Sequence, residues 1–176
     1  MNCRSIQMVL FDVDGVLTDG SLYIGADGEL FKKFNAKDGV AIALLKANGI
    51  QVGVISGKAS KALDFRIKQL GFDHSITGCS DKLSALETLL ERIELGFDQV
   101  AFVGDDIIDV AVMQKVGFSI APADAHELAI NAAHYVTLSK GGEGVARESA
   151  ELILRNSGLS LSDMYLDMLG RHEITQ

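Results

Sequence analysis

Three apolar runs along the chain each end abruptly in polar or acidic residues: Ile6 to Phe11, Val52 to Ile55 and Val100 to Val103. Short continuous runs of this kind, bounded by turn residues, predict strands covered on both faces. Between them the pattern changes to helical spacing. Leu63, Ile67 and Leu70 share one face of a helix expected over Ser60 to Leu70. Leu83, Leu86, Leu90 and Ile93 do the same for a helix that opens at Asp81 and stops at Gly96. Further helices are expected from about Asp38, from about Ile107 and over Gly144 to Leu154, with short strands at Ser75 to Thr77, Phe118 to Ile120 and His134 to Thr137. Strand–helix alternation predicts an α/β fold, a doubly wound and mostly parallel sheet with helices on both faces.

One stretch breaks the alternation. Between Gly15 and Phe34 lie two short segments, Leu22 to Ile24 and Leu30 to Phe34, separated by Asp27-Gly28. Asp-Gly suits a tight turn whose central residues take positive φ, so a β-hairpin insertion is expected over about 15–34. The excursion is too small to be a lid domain. The 176 residues therefore read as a single domain, 1–176, with a tail from about 159 that the pattern leaves either helical or mobile.

Composition narrows the partners. A formal net charge of −8 argues against nucleic acid, which needs a basic face. Cys3 and Cys79 are too few for a disulfide framework and read as bystander thiols of a reducing cytoplasm. No apolar run approaches a membrane span, and no signal-peptide pattern is expected at the start. The histidines His74, His126, His134 and His172 lack metal-ligand spacing and read as structural or exposed.

The strand ends carry the chemistry. In an open parallel sheet they converge on one crevice. The first run delivers Asp12-Val13-Asp14-Gly15, the second Ser56-Gly57, the third Gly104-Asp105-Asp106 with Asp109 close behind, and Lys82 opens a helix between the last two. Singly, each has a structural reading as a cap, loop or solvated residue; the joint order points to phosphoryl transfer. Asp12 is the expected nucleophile, forming an aspartyl-phosphate. Two anions repel, so a Mg²⁺ held by Asp12, Asp105 and the backbone carbonyl of Asp14 is expected to neutralise the phosphate. Asp14 is placed to protonate the leaving oxygen and then to activate water. Ser56 and Lys82 would stabilise the transferring oxygens, with Asp106 and Asp109 orienting the metal's waters and Lys82. The run Lys140 to Gly144 reads as either a phosphate-cradling loop or a connector.

These four motifs resemble those of the haloacid dehalogenase superfamily of phosphatases. Phe11 to Gly20, Phe34 to Gly39, Gly104 to Asp109, Ala123 to His126 and Gly141 to Glu148 further resemble its capless branch, the 3-deoxy-D-manno-octulosonate 8-phosphate phosphatases, over nearly the whole chain. The resemblance implies Mg²⁺-dependent release of phosphate from that acid sugar, on the way to the inner core of lipopolysaccharide in a Gram-negative bacterium. It implies a homotetramer in which hairpins gather around the axis and a neighbouring subunit covers each site, in the cytoplasm that the lack of a signal or membrane pattern already leads one to expect. By matched position, Asn35, Lys37, Asp38, Gly39, Lys58, Arg66 and Lys82 would contact substrate. Lys37 and Lys58 stand where the family usually has Arg, losing the bidentate fork for a carboxylate. That keeps a nine-carbon acid sugar phosphate open as an alternative substrate. A broader small-phosphate phosphatase, a mutase and a non-catalytic receiver-like module are the other readings; a mutase would need a lid, and a receiver has no use for Asp14 as an acid.

Overall fold

The computed structural model describes residues 3–170. Six strands form a parallel sheet in the order β5-β4-β1-β6-β7-β8. They are β1 (Met8–Phe11), β4 (Gln51–Ser56), β5 (His74–Thr77), β6 (Val100–Val103), β7 (Phe118–Ala121) and β8 (Tyr135–Val136); β2 (Tyr23–Gly25) and β3 (Gly28–Phe31) pair antiparallel as a separate hairpin. β1 sits centrally, with Phe11 in register with Val54 of β4 and with Val103 of β6.

Strand periodicity sorts the side chains into two cores. Val9 and Phe11 face a layer made by α1 (Ala36–Ala47), α2 (Lys61–Leu70), α6 (Val145–Asn156) and α7 (Leu161–Gly170). Met8 and Leu10 face α3 (Lys82–Ile93), α4 (Val110–Met113) and α5 (Glu127–Ala132). Both faces of β1 are thus dry, which is why its sequence shows no alternation of apolar and polar residues.

Capping sets the helix starts. Asn35, Ser60 and Asp81 each accept a backbone N–H from their own first turn, at Lys37, Leu63 and Ser84 respectively. Most boundaries shift by a residue or two from the sequence expectation, and three of the shifts have a plain cause. α1 starts two residues before Asp38, because Asn35 supplies the cap. β3 starts and stops upstream of the expected Leu30 to Phe34, sharing only Leu30 and Phe31 with it, since Gly25 pairs with Gly28 around a tight turn. α3 ends before Gly96, at Glu94, which takes the left-handed conformation (φ 57°), its N–H donating to Leu90 O. Gly96 instead opens a short 3₁₀ turn, where its N–H donates to Gln99 Oε1 at 2.8 Å.

The six-residue α5 was not expected; it is too short to show a helical period. The tail is helical as far as Gly170. α7 buries Met164 and Met168, and Asn48 Nδ2 donates to Met164 O at 3.0 Å. The end of the tail and His172 lie outside the described residues. Of the other histidines, His74 pairs with Gln51, His126 caps α5 and His134 bonds Ser119, all structural roles.

Candidate active site

β4, β1 and β6 are neighbours, so the residues that follow them meet at one sheet edge. The N–H of Asp12 still donates to Val103 O at 2.8 Å, and the chain then leaves the sheet. Asp14 and Gly15 depart from helical geometry, Gly15 at φ +89°. A β-carbon on Gly15 would stand 2.0 Å from Asp105 Oδ2, so only glycine lets the first and third motifs close together.

Asp12 is 4% exposed and faces Lys82, whose Nζ lies 2.7 Å from Asp12 Oδ1 and 2.7 Å from Asp109 Oδ1. Asp109 is fully used. Its second oxygen accepts the N–H groups of Asp105 and Asp106, at 2.9 and 3.2 Å. Burial pulls the Lys82 ammonium down, but the charges of Asp12 and Asp109 outweigh it and hold the lysine protonated.

One oxygen each from Asp12, Asp105 and Asp109 lies within 4.8 Å of the others. Three carboxylates face one ammonium here, and protonation records the strain. Burial and the Asp109 charge push Asp12 up to about 6; burial and the charges of Asp12, Asp109 and Asp106 push Asp105 up to about 8. Asp105 Oδ1 is buried with no hydrogen-bond partner. An orphaned carboxylate oxygen in an all-oxygen cluster fits a hard divalent cation such as Mg²⁺.

Asp12, Asp14, Ser56, Gly57, Lys58, Asp106 and Ile108 line a cavity of about 330 Å³ over this cluster. Ser56 is buried, its Oγ accepting the Lys58 N–H at 3.2 Å. Asp106 is exposed and caps the following 3₁₀ turn through the Ile107 N–H at 2.7 Å, so it forms the cavity wall rather than touching Lys82. Asp14 lines the same cavity as Asp12, but its carboxylate is held by Lys32, Nζ to Oδ1 at 2.5 Å.

The residues matched to substrate contact divide into groups. Lys58 shares the cavity with Asp12. Asn35, Asp38 and Arg66 cluster where α1 and α2 meet: Arg66 donates to Asn35 O at 3.0 Å, and Asp38 is buried beside it. Gly39 is buried inside α1. Lys37 lines a separate groove with Glu143, Arg147 and Glu148.

The run Lys140 to Gly144 is a packed support. Gly142 N–H donates to Val16 O at 3.0 Å, Asn35 Nδ2 donates to Gly142 O at 3.0 Å, and Asp124 accepts the Gly141 N–H. β-carbons at Gly141 and Gly142 would collide with the backbone of Gly15 and Asp19. Sequence reasoning passed over Asp124 and Lys32. Asp124 lies in the resembling stretch Ala123 to His126, whereas no local signal marks Lys32, which reaches Asp14 only because the hairpin folds back.

A family model described as haloacid dehalogenase-like hydrolase matches residues 76–148. The chain is 47% identical over 150 residues to the 3-deoxy-D-manno-octulosonate 8-phosphate phosphatase KdsC of Yersinia pestis, covering 85% of this chain and 80% of that protein. A 1.95 Å crystal structure of the phosphatase from that organism superposes with a TM-score of 0.85 at 45% identity, over 88% of this chain and 84% of that one. The phosphatase from Moraxella catarrhalis, solved with magnesium ion, phosphate ion and KDO, superposes with a TM-score of 0.84 at 35% identity, over 88% of each chain.

Proposed function

Since the chain belongs to the 3-deoxy-D-manno-octulosonate 8-phosphate phosphatase family of haloacid dehalogenase-like hydrolases, we propose that it hydrolyses this eight-carbon acid sugar phosphate to the free sugar and inorganic phosphate. The observation that carries the reading is the juxtaposition at one sheet edge. Asp12 lies 2.7 Å from Lys82, beside the orphaned oxygen of Asp105, under a cavity that Ser56 and Asp14 also line.

In this reading Asp12 attacks phosphorus and the bond to the sugar oxygen breaks, leaving an aspartyl-phosphate. Asp14 gives its proton to the departing oxygen. It then takes one from water, which attacks the aspartyl-phosphate and frees Asp12. Lys82 holds Asp12 in one orientation and places a fixed positive charge beside the transferring group; the Ser56 hydroxyl donates to a phosphoryl oxygen. Asp109 keeps Lys82 and the Asp105 backbone in place, accepting from both. Mg²⁺ held by Asp12, Asp105 and the Asp14 carbonyl would neutralise the phosphate charge. Lys58 lines the cavity and would serve the sugar-acid end; Asn35, Lys37, Asp38, Gly39 and Arg66, which lie outside the cavity lining, are assigned to that end by matched position.

The chain acts as a single domain, and as a homotetramer. Leu22, Ile24, Leu30 and Phe31 on the hairpin are each more than half exposed, and an isolated two-stranded hairpin is only marginally stable without partners. Among the described residues no helix is long and apolar enough to cross a membrane. The reading puts the enzyme in the cytoplasm, where phosphorylated sugars are retained, at a step towards lipopolysaccharide.

Phosphate release from eight- and nine-carbon ulosonic acid phosphates tests the assignment. Turnover is expected with Mg²⁺, to be abolished by EDTA, to favour the eight-carbon substrate, and to fall at least ~10³-fold in Asp12→Asn. Full activity in that variant would end the nucleophile assignment.

A further inference from the structure

The hairpin does more than expose apolar residues. Lys32, the first residue after β3, turns inward while Leu30 and Phe31 before it stay exposed. Its side chain is 2% exposed, and its ammonium lies 2.5 Å from Asp14 Oδ1 and 3.0 Å from Glu29 Oε2. Burying an ammonium is expensive unless its hydrogen bonds are met, and here two carboxylates meet them. Asp14 lacks the restraint that most site residues here enjoy. Its backbone has left β1, is not helical, and runs into a glycine at positive φ. Asp12 is fixed by sheet and Lys82, and Asp109 by a lysine and two backbone N–H groups; Asp14 is fixed by a lysine that arrives from another element, 18 residues on.

We propose that Lys32 is a positioning residue for Asp14: the hairpin delivers an ammonium that aims the acid–base carboxylate into the cavity. This rests on the phosphatase reading above and assigns Lys32 no contact with substrate. Geometry of this kind matters because a displacement of ~1 Å at an acid–base group can cost ~10²-fold in rate. Glu29 is the other half of the arrangement, keeping Lys32 against the hairpin so that it reaches Asp14 from a defined direction.

Leaving-group dependence separates aiming from mere folding. An alkyl oxygen leaves as a strong base and needs the proton from Asp14; p-nitrophenolate does not. With the Mg²⁺-loaded enzyme, Lys32→Met is expected to lower kcat/KM for the sugar phosphate ~10–100-fold and for p-nitrophenyl phosphate less than ~3-fold. KM for the sugar phosphate should stay within ~3-fold, so that the loss sits in kcat. Lys32→Arg, which keeps a cation in reach, should recover to within ~5-fold of wild type. Lys32→Gln, uncharged and close in length, carries the same comparison if the Met variant does not fold. Equal losses on both substrates would make Lys32 a structural latch and overturn the proposal, as would an unimpaired Lys32→Met. A wild-type protein that hydrolyses neither ester would sink the phosphatase reading itself and this proposal with it.

Discussion

At Asp38 stability and site chemistry pull in opposite directions. The residue is 2% exposed, and one carboxylate oxygen has no hydrogen-bond partner. Burial pushes the carboxyl up to about 7, against the Asn35 N–H it accepts and the charges of Arg66 and Lys37. A carboxyl raised in this way contributes stability that is complete below the unfolded value near ~3.8 and lost as pH rises through about 7. Asp38→Asn keeps the acceptor for Asn35 and removes the charge. The variant should match wild type in Tm near pH 4 and exceed it by a few degrees at pH 8.5, a size set by ~2–4 °C per kcal/mol in domains of this length. If Asp38 serves the sugar-acid end, KM should rise at the same time. Differential scanning fluorimetry across pH, beside steady-state kinetics, reads both.

Among elements, the turn after β1 is the most constrained piece of backbone. Gly15 approaches Asp105 more closely than any β-carbon allows, and the Gly141-Gly142 loop packs under the same turn. Gly15→Ala should leave the sheet intact, because the change lies beyond β1. It should displace Asp105, weakening Mg²⁺ at least ~10-fold by titration and lowering kcat at fixed Mg²⁺. The elements that built the site were readable in advance for a physical reason. β1, β6 and residues 52–55 of β4 are dry on both faces and so are apolar; β1 runs straight into Asp12, β4 ends on Ser56, and β6 is followed by Gly104-Asp105. The Asp12, Ser56 and Asp105 positions follow from that, and Lys82 from the start of α3 behind its Asp81 cap. Lys32 was not legible, because its role depends on a hairpin returning to a turn 18 residues upstream. The end of α3 differs from the expected Gly96 for a related reason: Glu94 takes a left-handed conformation that most often falls to glycine. The glycines at 141 and 142 were visible, but the chain itself could not say whether they faced a phosphate or another strand of backbone.

For the whole molecule, the hairpin sets the expectation about assembly. It stands apart from the six-stranded sheet, with Leu30 67% and Ile24 63% exposed. If the proposed tetramer assembles through the hairpin, Leu30→Glu should shift sedimentation towards smaller species at micromolar concentration, because a charge cannot be buried there without a partner. If a neighbour covers the site, activity should fall with it. The sheet order carries one more consequence, about time. The strand nearest to β1 on one side is β4, but on the other it is β6, which begins at Val100. During translation Asp12 is therefore made roughly ninety residues before Asp105. At ~5–20 residues per second, the ribosome holds for several seconds a nascent chain whose central strand has an open flank. On the proposed mechanism the carboxylate cluster of Asp12, Asp105 and Asp109 is incomplete until that flank is filled, so the unfinished polypeptide is expected to be catalytically silent.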